Sequence, residues 1–292
     1  MSYIAHYIEH FRFRFGPRIA QWLIDFSTWP ARRNLRDFGQ IGILIDNTVL
    51  GHATTHETAW ISTGTKEWGN QTINTGYAAR ISVHPADSDA REYEHVQFLP
   101  SLISLYRGGY VRLHSSAELQ DEQFRKSSGM FRGYGYYDHN LFGGVNLESV
   151  DGHVYPHLGP SWMNLPSMKD QQRQRLAAKE REDPDYASLV AVLGQKNSQD
   201  AWHIHTAELH GLFCFLTMDF KLIDTIAAQQ NAKRIKALKT KVMTPADLGR
   251  LIGLLPIALH ILSYTDASFP VRSDITWPEG KRRGHRKGTK SD

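Results

Sequence analysis

Apolar and aromatic side chains recur at helical spacing through the first 27 residues of the chain. Gly16 and Pro17 interrupt this pattern, which predicts two short helices instead of one long helix. Because each helix has an apolar face, we expect both to pack onto the rest of the protein, as an N-terminal helical extension over residues 1–40. The pattern is carried by Ile4, Tyr7, Ile8 and Phe11 before the break and by Ile19, Trp22, Leu23 and Phe26 after it.

Short apolar runs alternate with helical patterns from residue 41 onward. Residues 41–45 (IGILI) and 212–216 (LFCFL) are apolar throughout, which is typical of strands buried on both faces of a parallel sheet. The alternation predicts an α/β fold with a largely parallel sheet over residues 41–262. Further strands are predicted at 110–113 and 241–243, and helices at 92–106, 115–124, 168–182, 186–193, 200–210, 220–231 and from Thr244-Pro245 onward.

Two stretches are interpreted as insertions, near residues 51–90, which have no sustained period, and near 127–195, where a Gly-, aromatic- and His-rich loop precedes the helices predicted at 168–182 and 186–193. The first is rich in Thr, Gly, His and Asn and predicts turns with short strands such as 78–83. The second contains an aromatic loop at 131–142, with Arg125, Lys126 and Arg132 close by. This loop could stack unpaired bases while the cations contact phosphates, or its rings could pin the insertion to the core.

Composition indicates a globular protein without disulfides. The 292 residues are 41% hydrophobic, and Cys214 is the only cysteine, which excludes an internal disulfide and a cysteine-rich zinc site. The longest mainly apolar stretch, 251–262, contains Pro256 and His260 and is too short to span a bilayer. We therefore expect a cytoplasmic protein that is not secreted and has no membrane partner.

The positive charge is concentrated near the end of the chain. Residues 279–292 hold six Lys and Arg residues against two acids, which equals the net charge of +4 for the whole sequence. We interpret residues 263–292 as a basic, flexible tail. Such a tail could give salt-sensitive affinity for phosphates, or it could simply keep the protein in solution.

Four carboxylates are the candidate chemistry. Asp46 and Asp219 lie at or just past the ends of apolar strands, whereas Glu118 and Asp200 lie in first helical turns. Strand ends and helix starts in a parallel sheet can face one crevice, where gathered carboxylates would repel one another unless a cation neutralises them. Mg²⁺ or Mn²⁺ prefers such oxygen ligands and can activate water for attack on a phosphodiester.

Each acid also has a local explanation. Glu118 could complete an S-x-x-E capping box with Ser115, and Asp200 and Asp219 could each cap the helix that they begin. Asp46 could order a turn.

Other candidate sites are less favoured by the sequence. His203 and His205 lie two positions apart on a helix and point to different faces, which disfavours a shared metal site. The sequence also has no Gly-rich phosphate loop after a strand and no G-x-S-x-G motif.

The arrangement of these acids resembles PIN-like domains. Residues 44–50 (LIDNTVL) are similar to the opening strand motif of that family, with the polar pair in reversed order. Residues 200–211 followed by 215–220 (FLTMDF) resemble its second half, in which an aspartate opens a helix and a strand leads into a T-x-D turn. Residues 242–248 resemble the closing strand and helix of the family, and a weaker similarity covers 111–119, its strand-to-helix segment.

The resemblance implies a Rossmann-like, mostly parallel sheet sandwiched by helices, and a metal-dependent nuclease that cleaves single-stranded or structured RNA. It implies Mg²⁺ or Mn²⁺ as the cofactor, held by Asp46, Glu118, Asp200 and Asp219. Glu122, one turn beyond Glu118, is the alternative acid of the second motif. Asp224 and Asp247 are possible auxiliary acids. A catalytically inactive scaffold that binds nucleic acid or protein is the alternative function, and a homo-oligomer is possible.

Overall fold

The computed structural model describes residues 3–36, 39–84, 90–125, 138–152 and 164–269. Its strands are β1 Ile41–Ile45, β2 Thr54–Trp68, β3 Gln71–Ser82, β4 Val111–Ser115, β5 His139–Asn140, β6 Glu148–Ser149, β7 Cys214–Leu216, β8 Lys241–Met243 and β9 Ala267–Phe269. Its helices are α1 Tyr3–Ser27, α2 Trp29–Leu35, α3 Asn47–His52, α4 Arg91–Val96, α5 Leu99–Arg107, α6 Ala117–Arg125, α7 Met168–Glu182, α8 Pro184–Leu193, α9 Ser198–Leu209, α10 Phe220–Ala228, α11 Lys233–Lys236 and α12 Pro245–Ile252.

Five strands form a parallel sheet in the order β6-β4-β1-β7-β8. The chain builds this sheet outward from β1 through β4 to β6, then returns to the other side of β1 and continues through β7 to β8. The strand order therefore reverses between β1 and β7. Successive connections leave from opposite faces at such a reversal, which opens a crevice at the carboxyl ends of these two strands.

Helices flank both faces of the parallel sheet. Ile43 and Ile45 of β1 belong to a buried cluster with Leu102 of α5 and Leu248 of α12. Leu44, which points to the opposite face, lies in a second buried cluster that includes residues of α8 and α9. The prediction of an α/β fold with a largely parallel sheet is confirmed.

A second sheet is antiparallel, with strand order β5-β2-β3-β9. Most of the first predicted insertion forms the hairpin of β2 and β3, so the expectation of turns with short strands is wrong except for the strand near 78–83. The distal residues of this hairpin are mostly exposed on both faces. Without a buried face, they have no alternation of apolar and polar positions by which strands could be predicted.

The predicted break at Gly16-Pro17 does not occur, because α1 continues through Pro17. Packing on the domain explains this outcome: a Cβ atom at Gly16 would lie 3.3 Å from Tyr264, so the glycine permits close approach of the helix to that ring. No helix within the described ranges, α1 included, has the length and apolarity needed to cross a membrane.

The predicted basic tail begins with ordered structure. A 3₁₀ helix, Leu259–Thr265, leads into β9, which pairs with β3. Residues 270–292, and residues 131–137 of the aromatic loop, lie outside the described residues.

Candidate active site at the ends of strands β1 and β7

Asp46 joins the carboxyl ends of the two central strands. Its backbone N–H donates to the carbonyl oxygen of Leu216 at 2.9 Å. Its side chain is buried, and Oδ2 accepts hydrogen bonds from the hydroxyls of Thr48 and, at 2.6 Å, Thr217. Burial raises the pKa of Asp46, although these two hydrogen bonds oppose the shift. The side-chain bonds go to Oδ2, which leaves Oδ1 without a partner among the described residues.

Asp219 lies at the same edge, where it caps α10. Oδ1 accepts from the backbone N–H groups of Lys221 at 2.9 Å and Leu222 at 3.2 Å. The N–H of Asp219 donates to Thr217 Oγ1 at 2.9 Å, and the same hydroxyl holds Asp46. Thr217 thus links the two aspartates, and Asp219 Oδ2 has no hydrogen bond within the described ranges.

Asp200 lies in the first turn of α9, within electrostatic reach of Asp46 and Asp219. Its carboxyl group has no hydrogen bond or ion pair with any described residue. Burial raises the pKa of Asp200 to about 6, the charge of His203 opposes the shift, and the negative charges of Asp46, Asp219 and Glu122 add to it. The other three carboxylates are therefore close enough to Asp200 for their charges to act on it.

Glu122 joins these carboxylates from α6. Its Oε2 accepts from Asn47 Nδ2 at 3.0 Å, and its Oε1 accepts from Gln199 and, at 2.8 Å, from His203 Nε2. Burial alone would raise the pKa of Glu122, but the charge of His203 and these hydrogen bonds lower it below its usual value. Glu122 is therefore ionised and held in one orientation by α3 and α9.

His203 supplies the positive charge within the acid group. Its side chain is buried, which would lower its pKa, but Glu122, Asp46 and Asp200 raise that pKa to about 9. The imidazolium is the only basic group among the described residues that forms an ion pair with any of the four carboxylates. We name Asp46, Glu122, Asp200, Asp219 and His203 the acid centre.

Glu118, predicted to complete the carboxylate set, lies in another environment. It is fully buried and accepts two hydrogen bonds from Arg175 of α7, at 3.1 Å and 3.0 Å. Gln172 donates to it at 3.2 Å, and Lys179 Nζ lies 3.7 Å from Oε1. Arg175 also pairs with Asp121 at 3.0 Å. We name these five residues the paired cluster, since its acids have cationic partners.

The predicted capping box at Ser115 and Glu118 is wrong. The α6 helix begins one residue later than that motif requires, and Ser116 Oγ accepts from the N–H of Leu119 at 3.3 Å. Asp151 accepts from the N–H of Ala117 at 3.0 Å. Glu118 is thus free of a capping role and turns toward α7.

The auxiliary acids lie outside the acid centre. Asp224 is exposed and lies 3.5 Å from Arg91, and Asp247 forms a capping box with Thr244 at the start of α12. His205 Nε2 lies 2.7 Å from Asp183, whereas His203 contacts Glu122, so the two histidines face different surroundings.

The acid centre offers the type of ligand that a hard divalent cation prefers, because carboxylate oxygens of Asp46, Asp200 and Asp219 have no partner within the described part of the chain. In the described part of the chain, no group of three or more His, Cys, Asp or Glu side chains is arranged to hold a metal ion directly. Mg²⁺ usually keeps several water ligands and needs only one or two direct carboxylates. The acid centre therefore suits an ion that is bound mainly through its waters.

The positioning residues were not identified from the sequence. Five residues hold the carboxylates: Asn47, Thr48, Gln199, His203 and Thr217. Two of them, Asn47 and Gln199, directly adjoin a predicted acid. The sequence contains one signal for two of them. Gln199 and His203 are four residues apart on a helix, so their side chains share a face and can contact the same acid.

Comparison with known proteins gives no significant match, since no family model, no curated protein and no solved structure corresponds to the chain.

Proposed function

We propose that the protein is a metal-dependent nuclease that hydrolyses phosphodiester bonds, with RNA as its substrate. The observation that carries this proposal is the convergence of Asp46, Glu122, Asp200 and Asp219 without a Lys or Arg partner among the described residues. Buried carboxylates that repel one another cost stability, and such a cost is common where a bound ligand offsets it. The crevice at the reversal of strand order is also where ligands bind in open α/β sheets.

The fold supports the same proposal. Counted along the chain, the parallel strands lie in the order third, second, first, fourth and fifth, with helices on both faces. We propose that this is a Rossmann-like fold of the PIN type, to which the antiparallel sheet and α1 are additions. In this proposal Glu122 takes the second-motif role for which Glu118 was first predicted.

Asp46, Asp200 and Asp219 would hold a Mg²⁺ or Mn²⁺ ion, directly or through waters. Bound there, the ion would acidify a water and offset charge on the phosphodiester. Thr48 and Thr217 fix Asp46 by hydrogen bonds to one oxygen, so that its other oxygen faces the crevice.

Glu122 and His203 set the charge of the site. Asn47 and Gln199 fix both oxygens of Glu122, and His203 holds a proton at Nε2 toward it. The exposed Lys221, two residues beyond Asp219, offers a cation at the rim for a substrate phosphate.

The test is cleavage of labelled single-stranded RNA, stem-loop RNA and single-stranded DNA in Mn²⁺, by the wild type and by Asp46→Asn and Asp219→Asn. We expect RNA cleavage that needs the ion and is lost in both variants. Asp224→Asn, an exposed acid five residues beyond Asp219, is the matched control and should cleave normally.

Cleavage that survives both substitutions, or that proceeds without divalent ions, contradicts the proposed chemistry. Wild-type protein that binds RNA without cutting it would instead support an inactive scaffold.

A further inference from the structure

A continuous apolar stripe runs along the outer face of α1 and into α2. Its members recur every three or four residues, and Ile8, Phe15, Trp22 and Trp29 are seven residues apart. Trp22 is 65% exposed, although large aromatic side chains are usually well buried. The stripe consists of Ile8, Phe11, Phe15, Ile19, Trp22, Phe26 and Trp29, all exposed. Tyr7 lies beside it, whereas the exposed Phe13 points to a different face of α1.

The rest of the described chain does not cover this stripe. The opposite face of α1 packs inward, where Ala20 is buried and Gly16 lies against Tyr264. Of the fourteen exposed large hydrophobic residues in the described ranges, nine belong to α1 and α2, and eight of these nine form the stripe and its neighbour Tyr7. The other five lie elsewhere: Ile73 and Tyr77 on β3, Leu209 on α9, Leu251 on α12 and Leu255 just after α12.

The exposed area matches what a protein interface needs. Six of the eight residues formed by the stripe and Tyr7 are aromatic, and at about 200 Å² each and roughly 60% exposure they present about 700 Å² of surface. That area is close to one partner's share of a standard interface and exceeds the apolar patch of a few hundred Å² that is normal on a monomer.

We propose that the stripe is a homodimer interface, in which α1 of one copy packs against α1 of a second copy about a twofold axis. A twofold interface uses the same patch on both copies, so an elongated apolar stripe meets a partner of its own length. The alternating spacing of three and four residues is the pattern by which two helices interlock along such a seam.

The charges at the edge of the stripe suit an antiparallel pair. Arg18 and Asp25 lie on one edge, seven residues apart. Asp25 Oδ1 accepts from Ser104 at 2.9 Å and from Gln21 at 3.1 Å and lies 3.5 Å from Arg32, yet the Asp25 side chain remains 46% exposed. Twofold symmetry brings the same edge of both helices together. An antiparallel pair centred near Trp22 therefore places Arg18 of one copy beside Asp25 of the other, which favours a second copy as the occupant.

The test is the mass of the full chain by sedimentation and light scattering over a hundredfold range of concentration. We expect twice the chain mass of 33.3 kDa for the wild type, and 33.3 kDa for Trp22→Glu at the same concentrations. Leu209→Glu is the matched control, because Leu209 is 67% exposed and lies outside the stripe. It should remain a dimer.

Circular dichroism should show the wild-type helix content for Trp22→Glu, because the substituted side chain does not contact the core. A wild type that is monomeric throughout, or a Trp22→Glu variant that still dimerises, overturns the proposal. A monomer that co-sediments with phosphatidylserine vesicles through Trp22 also overturns it and identifies a lipid surface as the occupant. Loss of RNA cleavage in the nuclease test leaves this measurement unaffected, since the dimer does not depend on the activity.

Discussion

Two glutamates on one face of α6, a single helical turn apart, have opposite electrostatic surroundings. Glu118 is fully buried, yet Arg175 and Lys179 balance its charge. Glu122 belongs to a group of four carboxylates that share one imidazolium, His203. The paired cluster fastens α6 to α7 and needs no further ion, whereas the acid centre has an excess of negative charge. Sequence position alone does not distinguish these environments. The difference arises from the helices that pack against each turn of α6: α7 against Glu118, and α3 and α9 against Glu122.

The largest expected effect is on catalysis. Glu122→Gln should lower the rate of RNA cleavage at least ~100-fold, about 2.7 kcal/mol in transition-state stabilisation, because it removes a charge from the acid centre. Glu118→Gln, the matched substitution one turn away, should change the rate less than threefold at a temperature where it is folded. If Glu118→Gln abolished cleavage while the folded state persisted, the assignment of the two clusters would be reversed.

Stability should respond in the opposite way. Glu118→Gln leaves the Arg175 guanidinium beside a neutral amide, and breaking a buried ion pair costs about 3–5 kcal/mol. Arg175 is partly exposed and still contacts Asp121, so the loss should be smaller. We expect the free energy of unfolding, measured with urea, to fall by about 2 kcal/mol in Glu118→Gln. Glu122→Gln should cost less than half of that. Equal losses in both variants would argue that the two glutamates have equivalent roles.

The acid centre should also set the alkaline limit of stability. The pKa of His203 is about 9 in the folded protein, above its usual value of 6.5, so its contribution is complete below pH 6.5 and is lost as pH rises through 9. We expect unfolding free energy to fall by about 2 kcal/mol between pH 7 and pH 9.5. In His203→Gln this fall should be largely absent. An unchanged slope would place the titrating group elsewhere.

The smallest expected effect is a gain in stability when Asp200 is replaced. The pKa of Asp200 is about 6 when folded, against 3.8 for an unperturbed group, so its ionised form opposes folding above pH 6. Asp200→Asn should stabilise the metal-free protein by about 1 kcal/mol at pH 7.5, with little gain at pH 4. Asp224→Asn, an exposed control, should have no such effect. Destabilisation by Asp200→Asn would show that Asp200 makes a favourable contact.

Much of the fold could be predicted from local pattern. The runs 41–45 and 212–216 are apolar because both faces of β1 and β7 are buried, and burial on both faces leaves a clear signal. The hairpin of β2 and β3 left no such signal, because its distal half has no buried face. The α1 helix continues through Pro17, and beside this proline Gly16 lies against Tyr264, a contact that is remote in sequence.

The candidate site was predictable where it depends on strand ends. Asp46 directly follows β1 and Asp219 lies three residues beyond β7, and parallel strands bring such positions together. The choice between Glu118 and Glu122 was not predictable from spacing, since both lie on the same helix face. It depends on Arg175 of α7 and His203 of α9, more than fifty residues away in each case.

The most direct test of the central claim is the effect of Mn²⁺ on thermal unfolding. A ligand that binds the folded state raises its stability, so saturating Mn²⁺ should raise the Tm of the wild type by several degrees. Glu118→Gln, which starts from a lower Tm, should gain the same increment, whereas Asp46→Asn should gain almost none. A Tm increase of equal size in Asp46→Asn, or one that is lost in Glu118→Gln, would contradict the assignment of the acid centre as the metal site.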